Sequence, residues 1–370
     1  MAVEQSAPTA GAGSSRGVRA APALPVGRFA AGLAATAAAA LAVALLPSLL
    51  GTTWGDVRAV VTELHPAQLT GLLLVWVLGL LSCSWVLTGS LPGLSRRRAL
   101  LLNLSGSAVS GALPAGGAVG VWLNTAMLRG WSFRGRDIAS FTVTSNVVDV
   151  AGKLAFCVPA LVLSLALGGV PQLPGAGAWA AALSAAGAAG AALAVLAITA
   201  PGARALAGAA AALSRARRGR PARAAGAATS SDDWRERIDG VRAAVAGRLR
   251  TAWPQLSVAV LVYVALQALL LVLCLRAGGV RLPLVTVLAA FALDRLASTL
   301  ALTPSGAGVA EAAACAVLVG AGAPAGPVLA GVLLYRLLLV VLEVPVGALV
   351  LGGWLLTRRP GSAVSARGPR

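Results

Sequence analysis

Charged residues, histidine and cysteine motifs are scarce in this chain of 370 residues, and each shortage argues against a class of protein. Charged residues make up 11% of the chain, less than half of the roughly 25% typical of soluble globular proteins, so an ordinary soluble enzyme is not expected. The single histidine and the four cysteines, which show no CxxC spacing, argue against a zinc site and a disulfide scaffold. HExxH, P-loop and strand-linked GxGxxG motifs are absent too, so we predict no enzymatic activity and expect neither cofactor nor metal.

Apolar residues, at 58% of the chain, are what the sequence has in excess. A membrane-spanning helix needs about 20 mainly apolar residues. Six runs meet that length: residues 29–50, 69–89, 138–167, 179–200, 254–275 and 328–356. The first is too long for the apolar region of a signal peptide, about 7–15 residues, and is predicted to be a retained span. The sequence therefore predicts an all-α polytopic integral membrane protein.

Two further apolar stretches, residues 99–128 and 284–322, are interrupted by proline and glycine at 113–120 and 303–308. Proline removes a backbone donor and glycine favours non-helical dihedral angles, so each break is expected to unwind the helix. Irregular backbone at membrane depth is tolerated where it is buried in protein or lines a wet cavity. We predict six full spans plus two re-entrant or discontinuous segments, or eight to ten crossings if those segments cross.

The basic residues predict the orientation of the spans, because cytoplasmic loops are rich in arginine and lysine. Of 30 basic residues, 24 fall on one side if both termini are cytoplasmic, the first broken segment enters from the cytoplasm and the second enters from outside. The net charge of +18 is therefore explained by membrane topology, and no nucleic-acid partner is expected. The predicted location is the cytoplasmic membrane.

The segment 201–253 is predicted to be a basic cytoplasmic loop between two membrane halves, residues 29–200 and 254–356. Its second part carries apolar residues at helical spacing with arginines interleaved, from Ser230 onward, and so predicts an amphipathic helix. This helix would either lie on anionic lipid or pack on the membrane domain. Residues 1–28 are expected to be disordered, and residues 357–370 form a basic tail.

The two broken segments resemble each other and suggest an internal repeat. Pro114 is followed after sixteen residues by Gly130, and Pro304 after sixteen by Gly320. The predicted topology turns one copy upside down relative to the other. Inverted repeats with broken helices at matching positions point to a transporter site near the middle of the bilayer.

Ionisable residues inside the apolar segments are costly and, by default, functional. Asp149 and Lys153 are four apart on one helical face, which predicts an ion pair that serves either packing or transport. Asp294 and Arg295 are adjacent and cannot share a helical face, so at least one is expected to find a different partner.

Three more ionisable residues belong to this interior set. Glu311 and Arg336 flank the second break and are the stronger candidates for a functional role. Arg336 and Glu343 are seven apart and are expected to share a face of the last helix, with a kink at Pro345. Together, four acids and three bases could largely neutralise one another in a cavity.

The sequence LTPSGAGVAE at 302–311, the segment 320–324 and the following Leu334-Tyr335-Arg336 resemble a family signature. They are similar to the turn and Tyr-Arg motif of the lysylphosphatidylglycerol synthase transmembrane-region family of flippase-like membrane proteins. The first break, with Leu113 to Gly117 and Leu128 to Gly130, resembles that family's N-terminal motif in actinobacterial members. Ser305 stands where the family turn has its first glycine, and the first turn lacks the charged residues that many members carry.

The resemblance implies lipid translocation or a related role in the cell envelope; synthase activity belongs to members with a soluble domain and is not expected here. We predict a flippase or transporter for an amphiphilic phospholipid or glycolipid. The alternatives are a scaffold that partners an envelope glycosyltransferase or lipid-modifying enzyme, and an ion-coupled transporter of small solutes. Expected partners are membrane lipids and an envelope-biosynthesis enzyme. The candidate substrate-binding residues are Pro114, Gly116, Gly117, Asp149, Lys153, Asp294, Arg295, Pro304, Gly306, Gly308, Glu311, Tyr335, Arg336 and Glu343.

Overall fold

The computed structural model describes residues 53–112, 116–169, 227–299 and 308–357, with five further helical residues between 41 and 48. Within these ranges the regular structure is entirely helical, which confirms the all-α prediction. The elements are α1 (Trp54–Thr62), α2 (Pro66–Ser90), α3 (Arg96–Ala112), α4 (Gly116–Gly130), α5 (Gly135–Ala166), α6 (Ala227–Ala277), α7 (Leu284–Thr299), α8 (Val309–Gly320), α9 (Ala325–Arg336) and α10 (Glu343–Thr357), with a π-helical turn at Leu337–Val341.

Four helical stretches are long and apolar enough to cross a membrane. They are Pro66–Ser90, Gly135–Ala166, Asp239–Ala277 and Ala325–Leu356. These four contain or closely match the predicted spans at 69–89, 138–167, 254–275 and 328–356. The predicted span 179–200 lies outside the described residues, as does most of 29–50.

Helices α2 and α6 pack antiparallel and define the two ends of the helical bundle. At one end, Arg248 Nε donates a 2.6 Å hydrogen bond to the carbonyl of Gly89. At the other, Gln68 and Arg276 line one pocket. The first end, called the basic end here, carries eleven arginines in the described chain, and the opposite end carries three. The eleven are Arg96, Arg97, Arg98, Arg129, Arg134, Arg136, Arg235, Arg237, Arg242, Arg248 and Arg250, and the three are Arg58, Arg276 and Arg281.

Helices α3 and α4 form a hairpin, the first hairpin, that opens at the basic end. Its arms approach closely, because a Cβ added at Gly106 would lie 3.1 Å from the amide nitrogen of Asn124. At its base, the Arg98 guanidinium sits 5.2 Å from the ring centroid of Trp131. The arms have 17 and 15 residues, each shorter than the roughly 20 that a full span needs.

Helices α7 and α8 form the second hairpin, which opens at the opposite end. The turn before α7 meets the start of α9, because a Cβ at Gly278 would lie 3.2 Å from the carbonyl oxygen of Pro327. The hydroxyl of Ser164, at the end of α5, donates a 2.7 Å hydrogen bond to the carbonyl of Val285. The hairpins thus enter the bundle from opposite ends, in agreement with the placement predicted from the basic residues.

The turns that follow the two hairpins have the same geometry. After the first hairpin, the N–H of Phe133 donates to Leu128 O at 3.1 Å, and after the second, Ala323 N–H donates to Leu318 O at 3.3 Å. Both turns hold a residue of positive φ, Ser132 at 67° and Gly322 at 92°. Each residue of the second turn follows its counterpart in the first turn by the same number of residues that separates Pro304 from Pro114. The order of a long helix, a hairpin and a long helix therefore occurs twice, in inverted orientation.

Helix α6 runs without interruption from the basic segment into the membrane span and passes through Pro254. The predicted boundary between loop and span at 253–254 is therefore not a break in the helix. Arg136 donates a 2.9 Å hydrogen bond to the carbonyl of Gly240, and Val245 is 2% exposed. Of the two interpretations of the amphipathic segment, packing on the membrane domain applies from Gly240 onward.

Candidate functional site

A four-charge cluster of Asp294, Arg295, Glu311 and Arg336 lies where the second hairpin meets α9. Arg336 contacts both acids: its terminal nitrogen lies 2.8 Å from Asp294 Oδ1, and its Nε lies 3.0 Å from Glu311 Oε1. All four residues are buried, with exposed fractions of 1% to 8%. The cluster therefore joins α7, α8 and α9, and its two acids balance its two bases.

The adjacent residues Asp294 and Arg295 pair with each other, which corrects one premise of the sequence prediction. The Nε and a terminal nitrogen of Arg295 donate to Asp294 Oδ2 at 2.8 and 2.7 Å. Adjacent residues point away from each other on a helix, but the arginine stem is long enough to turn back along it. The expected different partner also exists, because Asp294 uses its other oxygen for Arg336.

Glu311 has a second role at the start of α8. Its Oε2 accepts a 2.7 Å hydrogen bond from the backbone N–H of Gly308, which caps the helix and places an acid at the positive end of the helix dipole. Gly308 has a φ of 86°, a conformation that favours glycine. The Glu311 carboxylate therefore links the backbone N–H of Gly308, at the start of α8, to the guanidinium of Arg336.

Aromatic rings enclose the cluster on the side of Arg295. Its guanidinium lies 5.8 Å from the ring centroid of Phe291 and 5.6 Å from that of Tyr335. Tyr335 is 1% exposed, and within the described part of the chain its hydroxyl has no hydrogen-bond partner. The terminal nitrogen of Arg295 that does not contact Asp294 lies 3.4 Å from the side-chain oxygen of Gln267 on α6.

The predicted Asp149–Lys153 ion pair is confirmed, with a 2.6 Å contact on one face of α5. Its side chains are more exposed than the four-charge cluster, 38% for Asp149 and 19% for Lys153. The pair lies on a helix that also packs against α6 and α7, the second of which carries Asp294 and Arg295.

Glu343 does not share a partner with Arg336, contrary to the shared helical face that the sequence predicted. The π-helical turn at Leu337–Val341 separates the two residues and changes the helical phase between them. Arg336 contacts Asp294 and Glu311, whereas the Glu343 carboxylate is hydrogen-bonded to Ser107 of the first hairpin. The distortion of the last helix thus comes from this turn, just before the expected kink at Pro345.

The glycine and proline candidates are only partly described. Gly116 and Gly117 begin α4, and a Cβ at Gly117 would meet nothing within 4 Å. Gly308 caps α8, as set out above. Pro114, Pro304 and Gly306 lie outside the described residues.

Four residues near these sites were not predicted from the sequence: Gln267, Phe291 and Ser107 contact site residues, and Trp76 lines a cleft together with Glu343. Gln267 could have been found, because it is an isolated amide in an otherwise apolar run. The other three residue types are ordinary in membrane helices and gave no signal. Among the described residues, no three histidine, cysteine or acidic side chains are close enough to hold a metal ion.

Comparison with known proteins identifies the family. The family model for the lysylphosphatidylglycerol synthase TM region matches residues 29–347. No curated protein matches the chain. The match spans both hairpins, the four-charge cluster, α9 and the first residues of α10. The chain belongs to the lysylphosphatidylglycerol synthase transmembrane-region family, and it is a multi-pass membrane protein.

Proposed function

We propose that this protein moves the polar headgroup of an amphiphilic phospholipid or glycolipid across the membrane. One observation carries the proposal: two hairpins enter the bundle from opposite ends, and a buried four-charge cluster joins both arms of the second hairpin to α9. Broken helices in inverted repeats are typical of transporter binding sites at the bilayer midplane. Membership of a family concerned with envelope lipids supports the same class of substrate.

In this mechanism the headgroup replaces contacts within the cluster. A phosphate would compete with Asp294 and Glu311 for Arg336 and Arg295, and the freed carboxylates could pair with a cationic group. The N-terminus of α8 beside Gly308 adds backbone N–H groups that favour an anion. The acyl chains remain in lipid, so the headgroup alone needs a polar path. No bond is made or broken, and we propose no enzymatic activity.

The proposed orientation places the basic end and both termini in the cytoplasm. Arginine-rich ends of membrane proteins face the cytoplasm, and the described chain carries eleven arginines at one end against three at the other. With this orientation the first hairpin enters from the cytoplasm and the second from outside. We propose the cytoplasmic membrane as the location.

Vesicle reconstitution with paired variants tests the site. Arg336→Ala removes the guanidinium shared by two acids, whereas the double variant Glu311→Gln with Arg336→Met removes one acid and one base and leaves no unpaired charge. Both should lose movement of fluorescent phosphatidylglycerol between leaflets. Arg58→Ala, at an exposed arginine, should keep the wild-type rate. Wild-type rates in a folded double variant would contradict the assignment of the site.

A further inference from the structure

Glu343 differs in its partners from the other three acids inside the apolar segments. Asp149 pairs with Lys153, and Asp294 and Glu311 pair with Arg336. In the described chain, Glu343 has a hydroxyl partner, Ser107, and no arginine or lysine at ion-pair distance. An uncompensated carboxylate at membrane depth is costly, and uptake of a proton removes that cost.

Glu343 also lines a narrow cleft between α2, α6 and the last helix. The cleft has a volume of about 20 Å³, and Trp76, Tyr263 and Gln267, which carry polar groups, are among the residues that line it. The indole Nε1 of Trp76 is buried, and none of the described residues forms a hydrogen bond with it. A single water needs roughly 10–15 Å³ and two or more polar partners, which this cleft offers.

The groups around Glu343 do not supply a counter-charge. Tyr263 faces it across the cleft, and Cys83 of α2 is near enough to interact with it electrostatically. Asp149 and Lys153 act on Cys83 as well, but they are already paired with each other.

Gln267 connects this cleft to the four-charge cluster. It lines the cleft together with Glu343, and its side-chain oxygen lies 3.4 Å from Arg295. Arg295 in turn donates a hydrogen bond to Asp294, and Asp294 also accepts one from Arg336. The side chain of Gln267 thus lies between Glu343 and the four-charge cluster, which is the proposed headgroup site.

We propose that Glu343 is a proton-binding site that couples headgroup movement to a proton gradient; this rests on the proposed lipid translocation. On release, the O–H bond of the Glu343 carboxyl breaks, the electron pair stays on the carboxylate, and the proton passes to water in the cleft. On uptake the reverse occurs. A metal ion is a poorer occupant, because the cleft offers one carboxylate, one phenol and one amide that already contacts Arg295.

Infrared spectroscopy tests proton binding without relying on transport. In vesicles of phosphatidylethanolamine and phosphatidylglycerol, the wild-type protein should show a carboxylic-acid C=O band at neutral pH. Glu343→Gln should lose that band, and Glu63→Gln, at an exposed acid, should keep it. An unchanged band in Glu343→Gln would overturn the proposal.

A pH gradient across the same vesicles tests coupling. The wild-type rate of movement of fluorescent phosphatidylglycerol should differ several-fold between the two directions of the gradient, and Glu63→Gln should behave alike. In Glu343→Gln the two rates should become equal. A wild-type rate that ignores the gradient overturns the coupling. Absence of any lipid movement contradicts the proposed function and removes coupling with it, whereas the infrared result still decides whether Glu343 binds a proton.

Discussion

Arg336 and Asp294, 42 residues apart in the chain, are joined by a 2.8 Å ion pair that ties α9 to the second hairpin. The same guanidinium holds Glu311, so one side chain secures both arms of the hairpin. Removing one partner of a buried ion pair leaves an uncompensated charge, whereas removing an acid and a base together does not. The packing of the second hairpin therefore depends on charge balance more than on any single contact.

The first prediction concerns stability. Arg336→Met should lower the free energy of unfolding by about 3–5 kcal/mol, because Asp294 and Glu311 lose their shared base. Adding Glu311→Gln should restore part of that loss. Thermal unfolding in detergent measures both variants, and a double variant less stable than Arg336→Met would show that charge balance is not the cause.

A second prediction concerns the crossing of α3 and α10. A Cβ at Gly347 would collide with the backbone carbonyl of Leu104, so Gly347→Ala should destabilise the protein by about 1–3 kcal/mol. Gly353 lies on the same helix with nothing within 4 Å of an added Cβ, and Gly353→Ala should cost nothing. Equal melting temperatures for the two variants would refute this close approach.

The repeated turns supply a third prediction. Gly322 has a φ of 92°, and an alanine there should cost about 1–2 kcal/mol, as expected for a left-handed backbone. Its counterpart Ser132 already carries that strain at 67°, so Ser132→Gly should be neutral or stabilising by up to about 1 kcal/mol. Opposite signs for these two substitutions in unfolding experiments would support the inverted repeat, and a loss from Ser132→Gly would contradict it.

The sequence predicted four of the spans and both hairpins in the described residues because their signals are local. Runs of apolar residues, proline-glycine breaks and the four-residue spacing of Asp149 and Lys153 are all visible in one dimension. The partners of Arg295 were not predictable in this way, because the contact with Gln267 depends on how α6 and α7 meet. No residue pattern indicated the π-helical turn before Glu343. The direction in which Glu343 points relative to Arg336 could therefore not be predicted from the sequence.

A fourth prediction concerns orientation. In a Cys83→Ala background, Ser95→Cys and Ser132→Cys should react with a membrane-impermeant maleimide from the cytoplasmic side of cells or inverted vesicles. Arg281→Cys should react from outside. The three other native cysteines are buried and should not react with the maleimide. Reaction of Ser95→Cys and Arg281→Cys from the same side would overturn the placement of the hairpins.

The central claim, lipid translocation, is tested most directly by the pool of labelled lipid that a membrane-impermeant quencher reaches in vesicles. Protein-free vesicles protect the label on the inner leaflet. With wild-type protein reconstituted, fluorescent phosphatidylglycerol, phosphatidylethanolamine and a glycolipid should be compared, and at least one should be quenched almost completely. Quenching that stops at the outer-leaflet fraction for all three, with folded protein in the vesicles, would contradict the claim.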